Sequence, residues 1–267
     1  MKRRPWFGVL LVAALAATLC FLTLPIVAIF VDTGPLDLLE SLGEEGALEA
    51  LRLSLVCSAI AVGVIVLVGT PAAYLLATRR FRGRATLVTL VELPLVLPPA
   101  VAGIGLLAAL GPNGVLGGVV ESAGLELVLT TAGVILALIF VAAPFYLRQA
   151  QSAFEALDRT WLDASRTLGA GEARTFLAVA IPTAGPGLIS GLALAWGRAL
   201  GEFGATLMFA GSFRGITQTV PLAIYERFST DFTGALALSA VLVAVSAALL
   251  LSVKLLSGSA WLGSAAR

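Results

Sequence analysis

Histidine is absent from the 267 residues, and lysine occurs only at Lys2 and Lys254. The first absence removes His-based nucleophilic triads, zinc sites of the H-E-x-x-H kind and imidazole proton relays. The second removes a nucleotide-binding P-loop, which needs G-x-x-x-x-G-K-[ST], because neither lysine sits in one. If ATP drives this protein, another subunit binds it. Charge is scarce too, at 12% of residues. The two cysteines, Cys20 and Cys57, lie far apart within apolar stretches, and both are expected as unpaired, buried thiols.

What fills the space is apolar: 59% hydrophobic residues and a mean hydropathy of +1.01. That composition belongs to an integral membrane protein. A span needs about 20 apolar residues, and six are expected, roughly Phe7 to Phe30, Leu51 to Ala77, Thr86 to Leu110, Leu127 to Leu147, Thr183 to Phe209 and Phe232 to Leu256. The fold class is therefore all-α, with residues 1–267 expected as one transmembrane domain. The run behind Lys2, Arg3 and Arg4 is much longer than the roughly 7–15 apolar residues of a secretory signal, so it should remain as the first span.

Lys2, Arg3, Arg4, Arg79, Arg80, Arg82, Arg84, Arg148, Arg159, Arg166, Arg174, Lys254 and Arg267 fall on one side of this six-span arrangement. In loops on the other side lie Arg214 and Arg227, facing an acidic loop with Asp32, Asp37, Glu40, Glu44, Glu45 and Glu49. By the positive-inside rule both termini and the loop 148–182 are expected in the cytoplasm. The turn Arg79 to Arg84 reads as a topology anchor beside anionic headgroups, with a specific contact as the alternative.

Within the third span, Pro94, Pro98 and Pro99 leave carbonyls without helical partners, which a bilayer tolerates only where the segment faces protein or a wet cavity. A broken helix lining a pathway and a buried kink used for packing are both open. Glu92 is shallow enough to reach cytoplasmic arginines. Gly111 to Gly114 signals an external turn, and Pro144 should kink the fourth span.

The fifth span carries Arg198 and Glu202, four residues apart and so expected on one helical face, able to neutralise each other. They can act as a structural clamp or, with Thr206, in a pathway. Gly187, Gly191, Gly197, Gly201 and Gly204 offer small surfaces for close helix approach. Arg214, Glu226 and Arg227 form either a docking surface or a solvated rim.

Between the fourth and fifth spans, Asp163 to Pro182 is a polar interruption. Leu157, Trp161, Ala164 and Leu168 share a helical face, Thr160 and Asp163 have the spacing of a capping box, and Gly169 is placed to stop the helix in a left-handed conformation. Gly171 keeps the turn open before a second short helix, Glu172 to Ala180, with Pro182 at re-entry into the membrane. The expected shape is helix, tight turn, helix.

Asp163, Ala164 and Ser165, then Gly169, then Val179, Ala180, Ile181 and Pro182 resemble the pattern EAA, three residues, Gly, nine residues, I-x-L-P. That pattern is the coupling loop of the membrane subunits of binding-protein-dependent ABC importers. The run Leu93 to Pro99 resembles molybdate permease subunits, the segments Arg198 to Thr206 and Gln218 to Tyr225 resemble molybdate and tungstate permease subunits, and sulfate permeases share a related R-x-x-G-E-F-G region.

The resemblance implies a type I importer fold and a homodimer with two cytoplasmic ATPase subunits and an extracytoplasmic oxyanion-binding protein. It places Asp163, Ala164, Ser165, Gly169, Ile181 and Pro182 in the coupling loop, and Pro94, Pro98, Pro99, Arg198, Glu202 and Thr206 along the pathway. Arg214 and Arg227 would meet the binding protein. No cofactor, metal or catalytic residue is expected in this chain, ATP and Mg belonging to the partner ATPase. Lipid is an expected partner and nucleic acid is not. Sulfate or thiosulfate import is the alternative cargo, and an ion-coupled secondary transporter using Glu92, Arg198 and Glu202 is the more distant rival.

Overall fold

The computed structural model describes residues 5–34, 43 and 46–265. Lys2, Arg3, Arg4, Asp37, Glu40, Glu44, Glu45 and Arg267 lie outside the described residues, as does the side chain of Lys254.

A bilayer core offers no hydrogen-bond partners, so each apolar run must satisfy its own backbone, and all the described regular structure is helical. In chain order the elements are α1 (Pro5–Val31), α2 (Ala47–Thr78), α3 (Arg84–Val96), α4 (Pro99–Leu110), α5 (Gly117–Ser122), α6 (Thr131–Glu155), α7 (Arg159–Thr167) and α8 (Glu172–Thr175). A π-helical turn (Phe176–Ala180), α9 (Ile181–Leu200), α10 (Gly204–Ala210), α11 (Val220–Phe228) and α12 (Phe232–Ala265) complete the chain. Five continuous stretches are long and apolar enough to cross a membrane, and α3 with α4 forms a bent pair that can supply a sixth crossing.

That pair turns through 117° at Leu97–Pro98. With 13 and 12 residues, neither helix spans alone. The chain nevertheless changes sides here. Arg84, opening α3, pairs with Glu155 at the end of α6, whereas Thr131, opening α6, donates to the Ile216 carbonyl at the opposite end. The bent pair and the segment after it therefore carry one crossing, as a broken span.

Other boundaries depart from expectation. α6 continues through Arg148 to Glu155, so the loop expected over 148–182 begins as helix. A separate helix ending before Pro182 does not form, since Glu172 to Leu200 is one continuous 29-residue rod. The π turn, in which the Ile181 N–H reaches the Phe176 carbonyl, sits just ahead of Pro182, whose missing N–H and ring bulk would otherwise kink the helix. The fifth span is also broken: α9 stops at Leu200, and α10 is a distinct helix packed on α4 and α6.

Lipid tails are as apolar as leucine, so packing inside the membrane depends on close approach and on polar cross-links. α2, α6 and α9 form the main core around Ala61, Ile65, Leu138, Tyr146, Ala184 and Ala195. The hydroxyls of Thr70 and Tyr146 lie 2.6 Å apart, Trp196 Nε1 donates to Ser58 Oγ at 3.0 Å, and the Val220 N–H donates to Ser54 Oγ at 2.8 Å. Of the five glycines expected at close contacts, Gly187 faces Ala153, Gly191 faces Gln149 and Tyr146, and Gly204 faces Pro99. Among the described residues, a Cβ at Gly197 would meet nothing within 4 Å, and one at Gly201 only the Gly197 carbonyl oxygen. α1 leans on α12 with its apolar window wholly exposed. Cys20 on α1 is accordingly exposed, contrary to expectation, and Cys57 is buried and unpaired.

The neighbourhoods of two glycines on α9 give opposite expectations. A methyl at Gly187 collides with Ala153, and one at Gly185 meets open space. Gly187→Leu should lower the thermal midpoint of the detergent-solubilised protein, at a cost of about 1–3 kcal/mol from overpacking. Gly185→Ala should be close to neutral, since the gain of about 0.5–1 kcal/mol from helix propensity is offset by crowding of the new Cβ against the following Pro186.

Candidate functional site

Three places gather the singled-out residues: a knuckle at the Arg84 end of the bundle, the two helix breaks within it, and a loop cluster at the far end.

In the knuckle, Asp158, not Thr160, caps the start of α7. The Asp158 carboxylate accepts from the Thr160 hydroxyl at 2.7 Å and from its N–H at 2.9 Å, and these bonds, the hydroxyl's foremost, hold its pKa below the ordinary value. The expected Thr160–Asp163 capping box does not form, and Asp163 instead pairs with Arg166 at 3.2 Å. α7 closes in a Schellman motif. The Ala170 N–H bonds the Ser165 carbonyl at 3.1 Å and the Gly169 N–H bonds that of Arg166 at 2.9 Å, with Gly169 at φ 85°. Gly171 is extended and caps α8.

The side chains divide in two directions. Leu162 is buried in the core and Ser165 Oγ lies 3.1 Å from the buried Thr175 Oγ1, which ties α7 to α8. Beneath them Tyr74, Phe154 and Phe176 stack with centroids 4.7–6.3 Å apart, joining α2, α6 and the π turn. Outward point Trp161 at 65% exposure and Leu168 at 88%, with Ala164 and Asp163 exposed beside them. Ile181 is half-buried and Pro182 is exposed. Of the helical face expected from Leu157, Trp161, Ala164 and Leu168, the last three form a projecting ridge that Leu162 anchors from the other side, whereas Leu157 lies before α7 and packs half-buried against the core.

The basic turn makes specific contacts, contrary to a pure anchoring role. Arg79 lies 2.5 Å from Glu172, and Arg84 lies 2.6 Å from Glu155 and donates to the Leu76 carbonyl at 2.6 Å. Exposed pairs of this kind are worth about 0–1 kcal/mol each. Their consequence is positional, since they fix the turn against the knuckle. Glu92 lies 3.6 Å from Arg148, as its shallow position suggested.

Inside the bundle the two breaks meet. Gly103 of α4 approaches Ala205 and Met208 of α10 so closely that a Cβ would lie 2.7 Å from the Ala205 carbonyl oxygen, and Gly204 sits equally close to Pro99. Ala102, Leu106, Ala205 and Phe209 bury the contact against α6. Pro98 opens α4 and Pro99 is its first residue, while Pro94 remains inside α3.

Arg198 and Glu202 do pair, with Nη2 2.6 Å from Oε2, although the approach lies off the hydrogen-bond direction. They do not share a continuous helical face, because Glu202 lies beyond the end of α9. Its other oxygen accepts from the Ala205 N–H at 2.7 Å. The carboxylate, 1% exposed, therefore bridges the last turn of α9 to the first of α10. Thr206, one residue further on, is fully buried, and among the described residues neither its hydroxyl nor that of Thr219, in the polar segment 217–219, has a hydrogen-bond partner.

At the far end Arg214 pairs with Glu226 at 2.9 Å, and the Gln218 amide donates to the other Glu226 oxygen. Arg227 is half-buried and borders a narrow cleft with Arg214 and Gly46. Arg52, close to the start of α2, is a further cation toward this end. Sequence reasoning missed the two cross-ties Ser165–Thr175 and Arg79–Glu172, and no local signal marks them. Gly103 stood inside a conspicuous proline run and could have been suspected of a close approach. Among the described residues no group of His, Cys, Asp and Glu is arranged to hold a metal ion.

Residues 49–260 match the family of binding-protein-dependent transport system inner membrane components. The chain is 37% identical over 247 residues to the probable transport system permease protein NifC of Clostridium pasteurianum, covering 92% of this chain and 86% of that one. It is 40% identical over 237 residues to the molybdenum transport system permease protein ModB of Mycobacterium tuberculosis, covering 89% and 90%. The sulfate transport system permease protein CysW of Synechococcus elongatus is 35% identical over 208 residues, 76% of this chain and 73% of that one. In fold, the chain is similar to one in the crystal structure of a bacterial alginate ABC transporter in complex with alginate pentasaccharide-bound periplasmic protein. The TM-score is 0.74 at 17% identity, over 95% and 94% of the two chains. Its broken spans, its projecting knuckle and these likenesses together make the chain a multi-pass membrane transport component, not an enzyme, belonging to the family of binding-protein-dependent transport system inner membrane components.

Proposed function

We propose that this chain is the permease subunit of an ATP-driven importer for a tetrahedral oxyanion, molybdate or tungstate. The observation that carries the cargo is the 40% identity, across 89% of the chain, to a protein named for molybdenum transport. The 35% identity to a sulfate permease supports sulfate or thiosulfate as a second reading. The protein works as a homodimer of single-domain chains in the inner membrane, with both termini in the cytoplasm. Two ATPase subunits bind the knuckle, and an extracytoplasmic binding protein delivers the anion at the Arg214 and Arg227 end.

Asp163, Ala164 and Ser165 with the exposed Trp161 and Leu168 form the ridge that the ATPase grips. Gly169 sets its turn, and Ile181 and Pro182 pass the motion into α9. Because Leu162, Thr175 and the aromatic cluster seat the knuckle on the core, a push on the ridge moves the bundle as a rigid body. The breaks at Leu97–Pro98 and Gly201–Phe203, with Pro94, Pro99 and Thr206 flanking them, line the pathway, and the Arg198–Glu202 pair holds the second break in shape.

The purified permease, reconstituted with its ATPase and binding protein, should take up molybdate or tungstate in competition with sulfate, and only with ATP. Gly169→Val forces a β-branched residue to φ 85°, and it should reduce that uptake at least tenfold while leaving the protein in the membrane. Full uptake by the variant, or uptake without the ATPase, would contradict the reading; sulfate preference would change its cargo.

Arg198→Met leaves a buried carboxylate without its counter-charge, and should destabilise the protein by about 3–5 kcal/mol. Adding Glu202→Gln, which keeps an acceptor for the Ala205 N–H, should recover most of that loss in a thermal unfolding measurement. No recovery would mean that Arg198 acts on something other than Glu202.

A further inference from the structure

The Arg84 end of the bundle holds a pocket of about 420 Å³ between the basic turn and α7. Five arginines line it: Arg79, Arg80, Arg84, Arg159 and Arg166. Three of these charges are already compensated, Arg79 by Glu172, Arg84 by Glu155 and Arg166 by Asp163. Arg80 and Arg159 have no acidic partner among the described residues, so the pocket carries two surplus positive charges. Its floor is apolar, formed by Ala77, Phe154, Leu157 and Leu162. Phe81, 39% exposed, lies between Arg80 and Arg82 in the turn.

A wall of guanidinium groups is the surface that recognises phosphoryl oxygens, through paired N–H donors in a fixed fork. An apolar floor beneath that wall, at the depth where a span leaves the bilayer, also accommodates the glycerol and upper acyl carbons of a lipid. We propose that this pocket is a binding site for a phosphate-type anion, the headgroup of an anionic phospholipid or free phosphate, held chiefly by Arg80 and Arg159. Occupancy neutralises the surplus charge and braces the basic turn against the knuckle. The site is separate from the breaks inside the bundle and does not depend on which anion is transported.

The test uses the full-length chain purified with its ATPase in detergent and examined by native mass spectrometry. Phosphatidylglycerol and phosphatidylcholine are offered at equal concentration, and inorganic phosphate is then added as competitor. The wild-type chain should retain phosphatidylglycerol in preference, and the Arg80→Gln/Arg159→Gln variant should lose about thirty-fold in that affinity, at roughly 1 kcal/mol for each arginine. Arg80→Lys/Arg159→Lys keeps the charge without the fork and should bind at a level between the wild type and the glutamine variant, which separates a lost site from a misfolded protein. Displacement by millimolar phosphate would support a site that reads the phosphoryl group alone, and resistance to it would support the lipid as occupant. Equal retention of the two lipids, or unchanged binding by the glutamine variant, would overturn the proposal. So would loss of the ATPase from the glutamine variant with lipid binding intact, since the pocket would then be a protein contact.

Discussion

A single carboxylate inside the membrane makes the architecture possible. A helix that breaks in a bilayer exposes N–H and C=O groups which nothing in lipid can satisfy. At Gly201–Phe203 the chain breaks nonetheless, and Glu202 spans the gap, accepting the Ala205 N–H with one oxygen and facing Arg198 with the other. Because the carboxylate is 1% exposed, it depends on that arginine for its charged state to be tolerable. The other break, at Leu97–Pro98, is stabilised differently. Proline removes the donor that would have gone unpaired, and α4 then packs its Gly103 directly onto α10. Each break supports the other, and the bundle gains an irregular, partly polar seam within otherwise featureless apolar helices.

The seam is tied to the knuckle through α9. From the exposed ridge, Leu162 and the Ser165–Thr175 contact pass into the cluster of Tyr74, Phe154 and Phe176. The rod from Glu172 to Leu200 runs unbroken from there to Arg198. Large aromatic side chains at the root of the knuckle leave little room for it to rock independently of the helices. The π turn belongs to the same logic, because it lets Pro182 sit in the rod without hinging it.

Much of this was legible in the sequence, and the limits have physical causes. Gly169 could be read because a left-handed residue after a helical run admits few side chains. The spans could be read because lipid demands long apolar segments. Arg198 and Glu202 could be paired from their spacing, yet their spacing could not reveal that the helix ends between them, since i,i+4 neighbours remain close across a tight break. The prolines of the third span announced a break without its 117° angle, which depends on where α10 packs. Arg79 and Glu172 are 93 residues apart, and a contact at that separation follows from the assembled bundle, leaving no local trace. The roll of the knuckle was likewise hidden: of two leucines, Leu162 lies within one short helix and Leu168 caps its end, and only the packed core decides which faces inward.

The central claim is that the two breaks border a pathway opened by ATP. Its most direct measurement is alkylation of Ala100→Cys, at the meeting point of α4 and Gly204, by a membrane-impermeant thiol reagent. The reconstituted complex would carry Cys20→Ser and Cys57→Ser, with Val115→Cys, 90% exposed in the loop after α4, as control. The rate at Ala100→Cys should change with ATP and fall in the presence of the transported anion, while the control stays constant. A rate unaffected by both, or one that only follows the control, would contradict the account.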